Sequence, residues 1–214
     1  MSQNPDSAFS EAFDEKQDLP LEAREWLQPM ADRQVLVLGA DNELPCSLPY
    51  DGGRFDLVIC DHVSASTEIS RDMLSEIGRV LNADGRLLIV DTLVPGSRLR
   101  GKKARRLRDA GPYVNAWLRL RNPRHNRYLD QDAWIQRLTD NQWDIQQKTT
   151  REVVQDFDSW ADAYVLSVNN RVHLRAMLIQ APEKVHSFLT PLSAGDRIAF
   201  RMIEVFILAT NRAV

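Results

Sequence analysis

Two short clusters in this chain carry side chains suited to acid–base and anion chemistry. The segment RNPRHNRY places His125 close to Arg121 and Arg124, with Tyr128 three residues further on. An arginine fork presents planar paired donors to a carboxylate, phosphate or phenolate. A histidine held near cations has a lowered pKa and stays neutral near pH 7, the form that accepts a proton. The same residues also suit a structural role, with His125 capping a helix and fixing its angle. The second cluster is Asp61-His62, directly after the apolar run FDLVIC. A histidine hydrogen-bonded by a carboxylate is a candidate general base; the alternative is a capping or surface histidine. Asp91 ends a third apolar run, RLLIVD, where it either contacts a ligand or caps a turn. Trp117 is the tryptophan expected to line a pocket. Gly39, Asp41 and Asn42 close the run RQVLVLGAD. They would meet a polar ligand or cofactor, or form an ordinary turn.

The elements that must position these groups are legible as apolar runs. Val35–Gly39, Phe55–Cys60 and Arg86–Asp91 read as buried parallel strands, because their apolar residues are consecutive rather than alternating. A helix starting at Ser66 or Thr67 is expected between the second and third, with Ile69, Met73 and Ile77 on one face. Asp130 is expected to cap a helix carrying Trp134 and Leu138. Trp143–Thr149 and Ile198–Thr210 read as later strands. Arg98–Leu120 reads as basic and mostly helical, with a break at Gly111-Pro112. Strands alternating with helices imply an open α/β sheet.

Composition narrows the setting. The chain has 214 residues and 43% hydrophobic content, enough for one domain with a full core. We expect a polar tail over residues 1–18, then a single domain over 19–214 with a basic helical lid at about 96–130. The formal net charge is −3, which by itself implies no partner. Charge is nevertheless uneven: residues 1–32 sum to roughly −6 and residues 98–127 to roughly +10. The basic stretch lacks interleaved aromatics, so nucleic acid is not expected. Cys46 and Cys60 match no metal spacing, and no metal is expected. No secretory pattern or apolar run of membrane-spanning length is present, so a cytoplasmic protein with no membrane contact is expected.

Four segments taken in order resemble the ubiquinone/menaquinone C-methyltransferase-like branch of the class I S-adenosylmethionine (SAM) methyltransferases. They are D-R-x-V-L-x-L-G-A within Ala31–Ala40, L-P-x-x-x-G-x-F-D-L-V at Leu48–Val58, R-V-L-x-x-x-G-R-L-L-I-V-D at Arg79–Asp91, and R-x-P-x-H from Arg121. The resemblance implies a Rossmann-like class I methyltransferase fold. The family sheet order is 3-2-1-4-5-7-6. Here the run ending at Gly39 is followed almost at once by Phe55, with no intervening strand that ends in an acid. The expected sheet is therefore reduced to about five main strands in the order 1-4-5-7-6, the last antiparallel, with flanking helices.

That shortening shapes the functional expectation. The glycine-rich turn that lets a cofactor approach, and the acid that binds its ribose, are represented only by Gly39, Asp41 and Asn42. The primary expectation is therefore no cofactor, with loss of ordinary SAM binding and retention of a pocket for a small organic, anionic ligand. His125, His62 and Asp61 would then do the chemistry, with Arg121, Arg124, Tyr128, Trp117 and Asp91 binding substrate. The alternatives are a SAM-dependent methyltransferase with a rebuilt or dimer-shared site, binding SAM or S-adenosylhomocysteine, and a non-catalytic partner subunit. An apolar edge strand at Val35–Gly39 also favours a homodimer or hetero-partner that pairs with it.

Overall fold

Three nearly continuous apolar strands set the first half of the sheet, in a computed structural model that describes residues 19–27, 33–39, 47–65, 69–96 and 110–212. Strand β1 (Val35–Gly39) pairs in parallel with β2 (Phe55–Asp61), and β2 pairs in parallel with β3 (Leu81–Leu93). Leu57 and Ile59 of β2 pack on one face while Val58 and Cys60 pack on the other, so the strand is buried on both sides. That double burial is why its sequence does not alternate. Strand β4 (Trp143–Asp156) and strand β6 (Arg197–Asn211) complete the sheet, in the order β1-β2-β3-β6-β4. Strand β6 is antiparallel to both neighbours. This is the order 1-4-5-7-6 expected from the resemblance. A short strand β5 (Leu192–Ala194) folds back on β6 as a hairpin. Among the described residues no strand pairs with the outer side of β1.

Helix α1 (Leu21–Trp26) seals one face by setting Ala23, with Leu27 just beyond it, against Leu57, Leu88 and Phe206. Helices α2 (Arg71–Val80) and α4 (Gln131–Asp140) cover the other, where Ile77, Trp134 and Leu138 meet Val58, Leu87 and Ile207. Asp130 caps α4 as expected, its carboxylate accepting from the Ala133 N–H at 2.8 Å. Helix α2 starts later than the sequence suggests. Its cap is Ser70, whose hydroxyl accepts from Met73 N–H at 3.1 Å, and residues 66–68 lie outside the described residues.

The larger departure is the length of β4 and β6. Strand β4 continues past Thr149 to Asp156, and β6 pairs with it from Trp143↔Asn211 to Asp156↔Ala199. Strand β3 stops pairing at Leu93↔Ile203, so the remainder is a ribbon beyond the parallel sheet. Around that ribbon sits a second core, built from α3 (Ala110–Arg121), α5 (Phe157–Asp162), α6 (Val168–Ile179) and α7 (Glu183–Leu189). Helix α3 contains Gly111-Pro112 without interruption, since a proline in a first turn removes a donor that would go unused. Gly111 is required there: a Cβ would lie 2.8 Å from the Pro95 carbonyl oxygen. Its absence lets α3 seat against the chain leaving β3. The basic stretch 98–108 lies outside the described residues. Among the described residues, no helix is long and apolar enough to cross a membrane.

Candidate functional site

The C-terminal ends of β2 and β3 and the ribbon half of β6 face α3 and α5 across a cleft of about 350 Å³. His62, Thr92, Arg121, Tyr128, Trp160 and Glu204 are among its lining residues. The cleft lies where open α/β sheets bind ligands.

His62 follows β2 directly and is held at a positive φ of 53°, a conformation uncommon outside glycine. Its Nδ1 is 2.8 Å from Asp61 Oδ1, and Nε2 is 3.7 Å from Glu204 Oε1, an ion-pair separation too long for a direct hydrogen bond. Burial acts to lower its pKa. The carboxylates of Asp61 and Glu204, with the charge of Asp91, outweigh burial and push it up to about 10. His62 is therefore an imidazolium at neutral pH. Its side chain is 30% exposed and open to the cleft. In this state it donates hydrogen bonds and stabilises negative charge; it has no free lone pair with which to act as a base.

Glu204 binds both His62 and Arg151, whose Nη2 donates to Glu204 Oε2 at 2.6 Å. Burial raises the Glu204 pKa, but these partners more than compensate and hold it below the usual carboxylate range. Asp91 lies in the buried layer at the end of β3. It accepts from the Ser64 hydroxyl and from Thr92 N–H at 2.8 Å. Burial pushes Asp91 up to about 6, against the opposing effect of the His62 charge and these hydrogen bonds. The Tyr128 hydroxyl is hydrogen-bonded to the Thr92 side chain, and burial pushes its pKa up, so it stays protonated at neutral pH.

His125 does not line the cleft. It is 5% exposed, packs edge-on against Tyr128 at 4.5 Å, and meets Asn115 Oδ1 through Nε2 at 3.2 Å. Burial first, then Arg119 and Arg121, lower its pKa to about 4. The neutral ring expected from sequence is thus spent on structure, with Nε2–H donating to Asn115. Asn115 in turn accepts from Tyr128 N–H at 2.8 Å and donates to Tyr128 C=O at 3.1 Å. Replacing Asn115 with alanine strands these buried groups and should cost about 2 kcal/mol. Urea denaturation of Asn115→Ala checks this; a change below about 0.5 kcal/mol would contradict it.

The remaining sequence candidates divide. Trp117 is fully buried behind the cleft wall, stacked on Trp160 at 4.4 Å, with its indole N–H donating to Leu174 C=O at 3.0 Å. It supports the wall and does not line it. Arg124 is exposed and its side chain is not part of the lining. Asp61 pairs in register with Gly39, while Asp41 and Asn42 lie outside the described residues. Sequence reasoning missed Glu204, Arg151, Trp160 and Tyr164. Glu204 had a usable signal: it is the one acid in the apolar run IAFRMIEVFILAT.

The strand order is the one that the resemblance to the class I SAM-dependent methyltransferases implies, and the cleft opens at the strand ends. Residues 18–89 match the methyltransferase domain family. The chain is 29% identical over 114 residues to the uncharacterized methyltransferase YcgJ of Bacillus subtilis strain 168, covering 53% of this chain. It spans about two fifths of that relative's length, 41%. The solved YcgJ structure superposes with a TM-score of 0.64 at 23% identity, covering 78% of this chain and 68% of the other. A protein of Bacillus halodurans C-125, described as a candidate methyltransferase, superposes with a TM-score of 0.65 at 19% identity, covering 77% and 67%.

These findings correct one expectation. The absence of a cofactor was inferred from the short connection between Gly39 and Phe55. The methyltransferase domain match runs through that connection, from before β1 to within β3. That match to a methyltransferase domain points to SAM as the cofactor rather than to none. Gly39 closes β1 in register with Asp61 of β2, and among the described residues nothing lies within 4 Å of where a side chain at Gly39 would begin.

Proposed function

We infer that the chain is a SAM-dependent methyltransferase acting on a small organic substrate held in the cleft. The observation that supports this reading is the methyltransferase domain match over residues 18–89, which spans the end of β1 at Gly39, in register with Asp61 and thus one residue from the His62 that lines the cleft. Gly39 would allow close approach of SAM to the backbone, and Asp61 would accept hydrogen bonds from its polar groups. When bound, SAM supplies an electrophilic methyl group. The protein's own residues then have definable tasks. The His62 imidazolium faces the cleft and stabilises an oxyanion on the substrate, while Asp61 and Glu204 fix the ring. Tyr128 offers a hydroxyl beside Thr92, and Trp160, Leu118 and Met202 exclude water from the substrate body. A nucleophile that is already anionic suits this site, because the Arg121 and His62 cations line the cleft and its carboxylate, Glu204, is held by Arg151 and His62.

Calorimetric titration with S-adenosylhomocysteine tests the reading. Binding tighter than roughly 100 µM, or about −5.5 kcal/mol, is expected. Gly39→Leu, which places a bulky side chain at the end of β1, should abolish it. No heat of binding at millimolar ligand with folded protein would end this reading.

A further inference from the structure

Arg121 is a cation placed in the cleft without a counter-ion among the described residues. Its guanidinium carbon lies over the ring of Trp160, at 4.1 Å from the centroid, and over that of Tyr164, at 4.4 Å. Its Nε is buried and has no hydrogen-bond partner, and the side chain makes no ion pair among the described residues. Its helical neighbour Arg119 differs, donating to the carbonyls of His125 and Asn126. The carboxylate that shares the cleft, Glu204, is already committed to Arg151 and His62. Contact with two aromatic rings restricts the fork and lowers the entropy lost when a planar ligand pairs with it. A desolvated cation with no protein partner is costly to keep, and a ligand's anion offsets that cost.

We propose that Arg121 is the anchor for a carboxylate on the substrate, and that the substrate is a small flat organic acid lying against Trp160, Leu118 and Met202 with its other end towards Tyr128 and His62. The proposal deepens the methyltransferase reading and rests on it for calling the ligand a substrate. A cleft of about 350 Å³ lies within the size range of small-molecule sites. One part of the wall, formed by Leu118, Trp160, Ala163 and Met202, is aromatic and aliphatic and suits the body of such an acid, while the arginine fork suits its charged end.

The test compares two probes of nearly the same shape on the whole protein: benzoate and its neutral counterpart benzamide. NMR titration follows the Arg121 Nε–H and Trp160 indole N–H signals at fixed ionic strength. Benzoate should shift both signals saturably, with an affinity at least tenfold above that of benzamide. Arg121→Met, which keeps the side-chain bulk and removes the charge, should lose the benzoate preference; Arg121→Lys, which keeps charge without a fork, should weaken it several-fold. Equal affinity for the two probes, no saturable benzoate shift up to 20 mM, or an undiminished preference in Arg121→Met would overturn the proposal. If Arg121→Met fails to fold, the wild-type comparison of the two probes still decides. The probes need no SAM, so the outcomes separate. Benzoate binding with no S-adenosylhomocysteine binding removes the methyltransferase reading and leaves the anion site, whereas the reverse removes the anion site alone.

Discussion

Trp117→Ala should destabilise the protein by about 3–5 kcal/mol, the range for removing a large, fully buried aromatic. Trp117 is 0% exposed, stacks on Trp160, and takes Phe200 edge-on at 5.2 Å. Its indole also ties α3 to α6 through Leu174 C=O. The substitution therefore opens a cavity, frees a carbonyl and unseats the aromatic wall of the cleft in one step. For a domain of this size the melting temperature should fall by roughly 8–15 °C. Denaturant titration and calorimetry check the result. Because Trp160 also stacks on Arg121, the Trp160 indole resonance should move in the same variant. A loss below about 1 kcal/mol would show that the second core does not depend on this residue.

The second large effect concerns the charge on His62. Glu204→Gln removes the carboxylate shared by His62 and Arg151 and leaves two partly buried cations facing a neutral amide. A cost of about 2–3 kcal/mol at pH 7 is expected, less than for a fully buried pair because both cations retain some exposure. The His62 midpoint should fall from about 10 by at least about 1 unit. The sign of the pH dependence follows from linkage. The pKa of His62 is raised on folding, so its contribution to stability is complete below about pH 6.5 and is lost as pH rises through about 10. The stability gap between wild type and Glu204→Gln should therefore narrow over that window. NMR titration of the imidazole gives the midpoint directly, and a wild-type value near 6.5 would remove the basis for the imidazolium role.

The fold was legible because its central strands are unbroken apolar runs, and such runs admit few alternatives once helices separate them. Val35–Gly39, Phe55–Cys60 and Arg86–Asp91 fall inside or match observed strands. The second half of β4 was not legible. Thr150–Gln155 alternates between exposed and partly buried residues, and nothing in TREVVQ distinguishes an edge strand from a polar loop. Its conformation is set by pairing with β6, about fifty residues later in the chain. Helix α7 was missed for a related reason: its seven residues have too short a pattern to register a helical period.

The site divides along the same line. Arg121 and Tyr128 stand out as chemistry-bearing residues in sequence, and the structure brings both to the cleft. The two histidines could not be told apart in sequence, since each sits beside charges. What separates them is the sign of the nearest charge in space. His62 meets three carboxylates, whereas His125 is buried near two arginines and hydrogen-bonded to an amide. The committed partner of His62 lies on a strand more than a hundred residues away, where only the tertiary fold could reveal it.

The position of β6 between β3 and β4 has a consequence for assembly during synthesis. When a growing chain has emerged as far as β4, the two strands that must flank β6 are both present, but the element that joins them is not. Strand β3 then has an open inner edge, and the aromatic cluster around Trp117 lacks Phe200. Neither apolar core can close until β6 inserts, and this late central insertion leaves the nascent protein most exposed to misassociation just before β6 arrives.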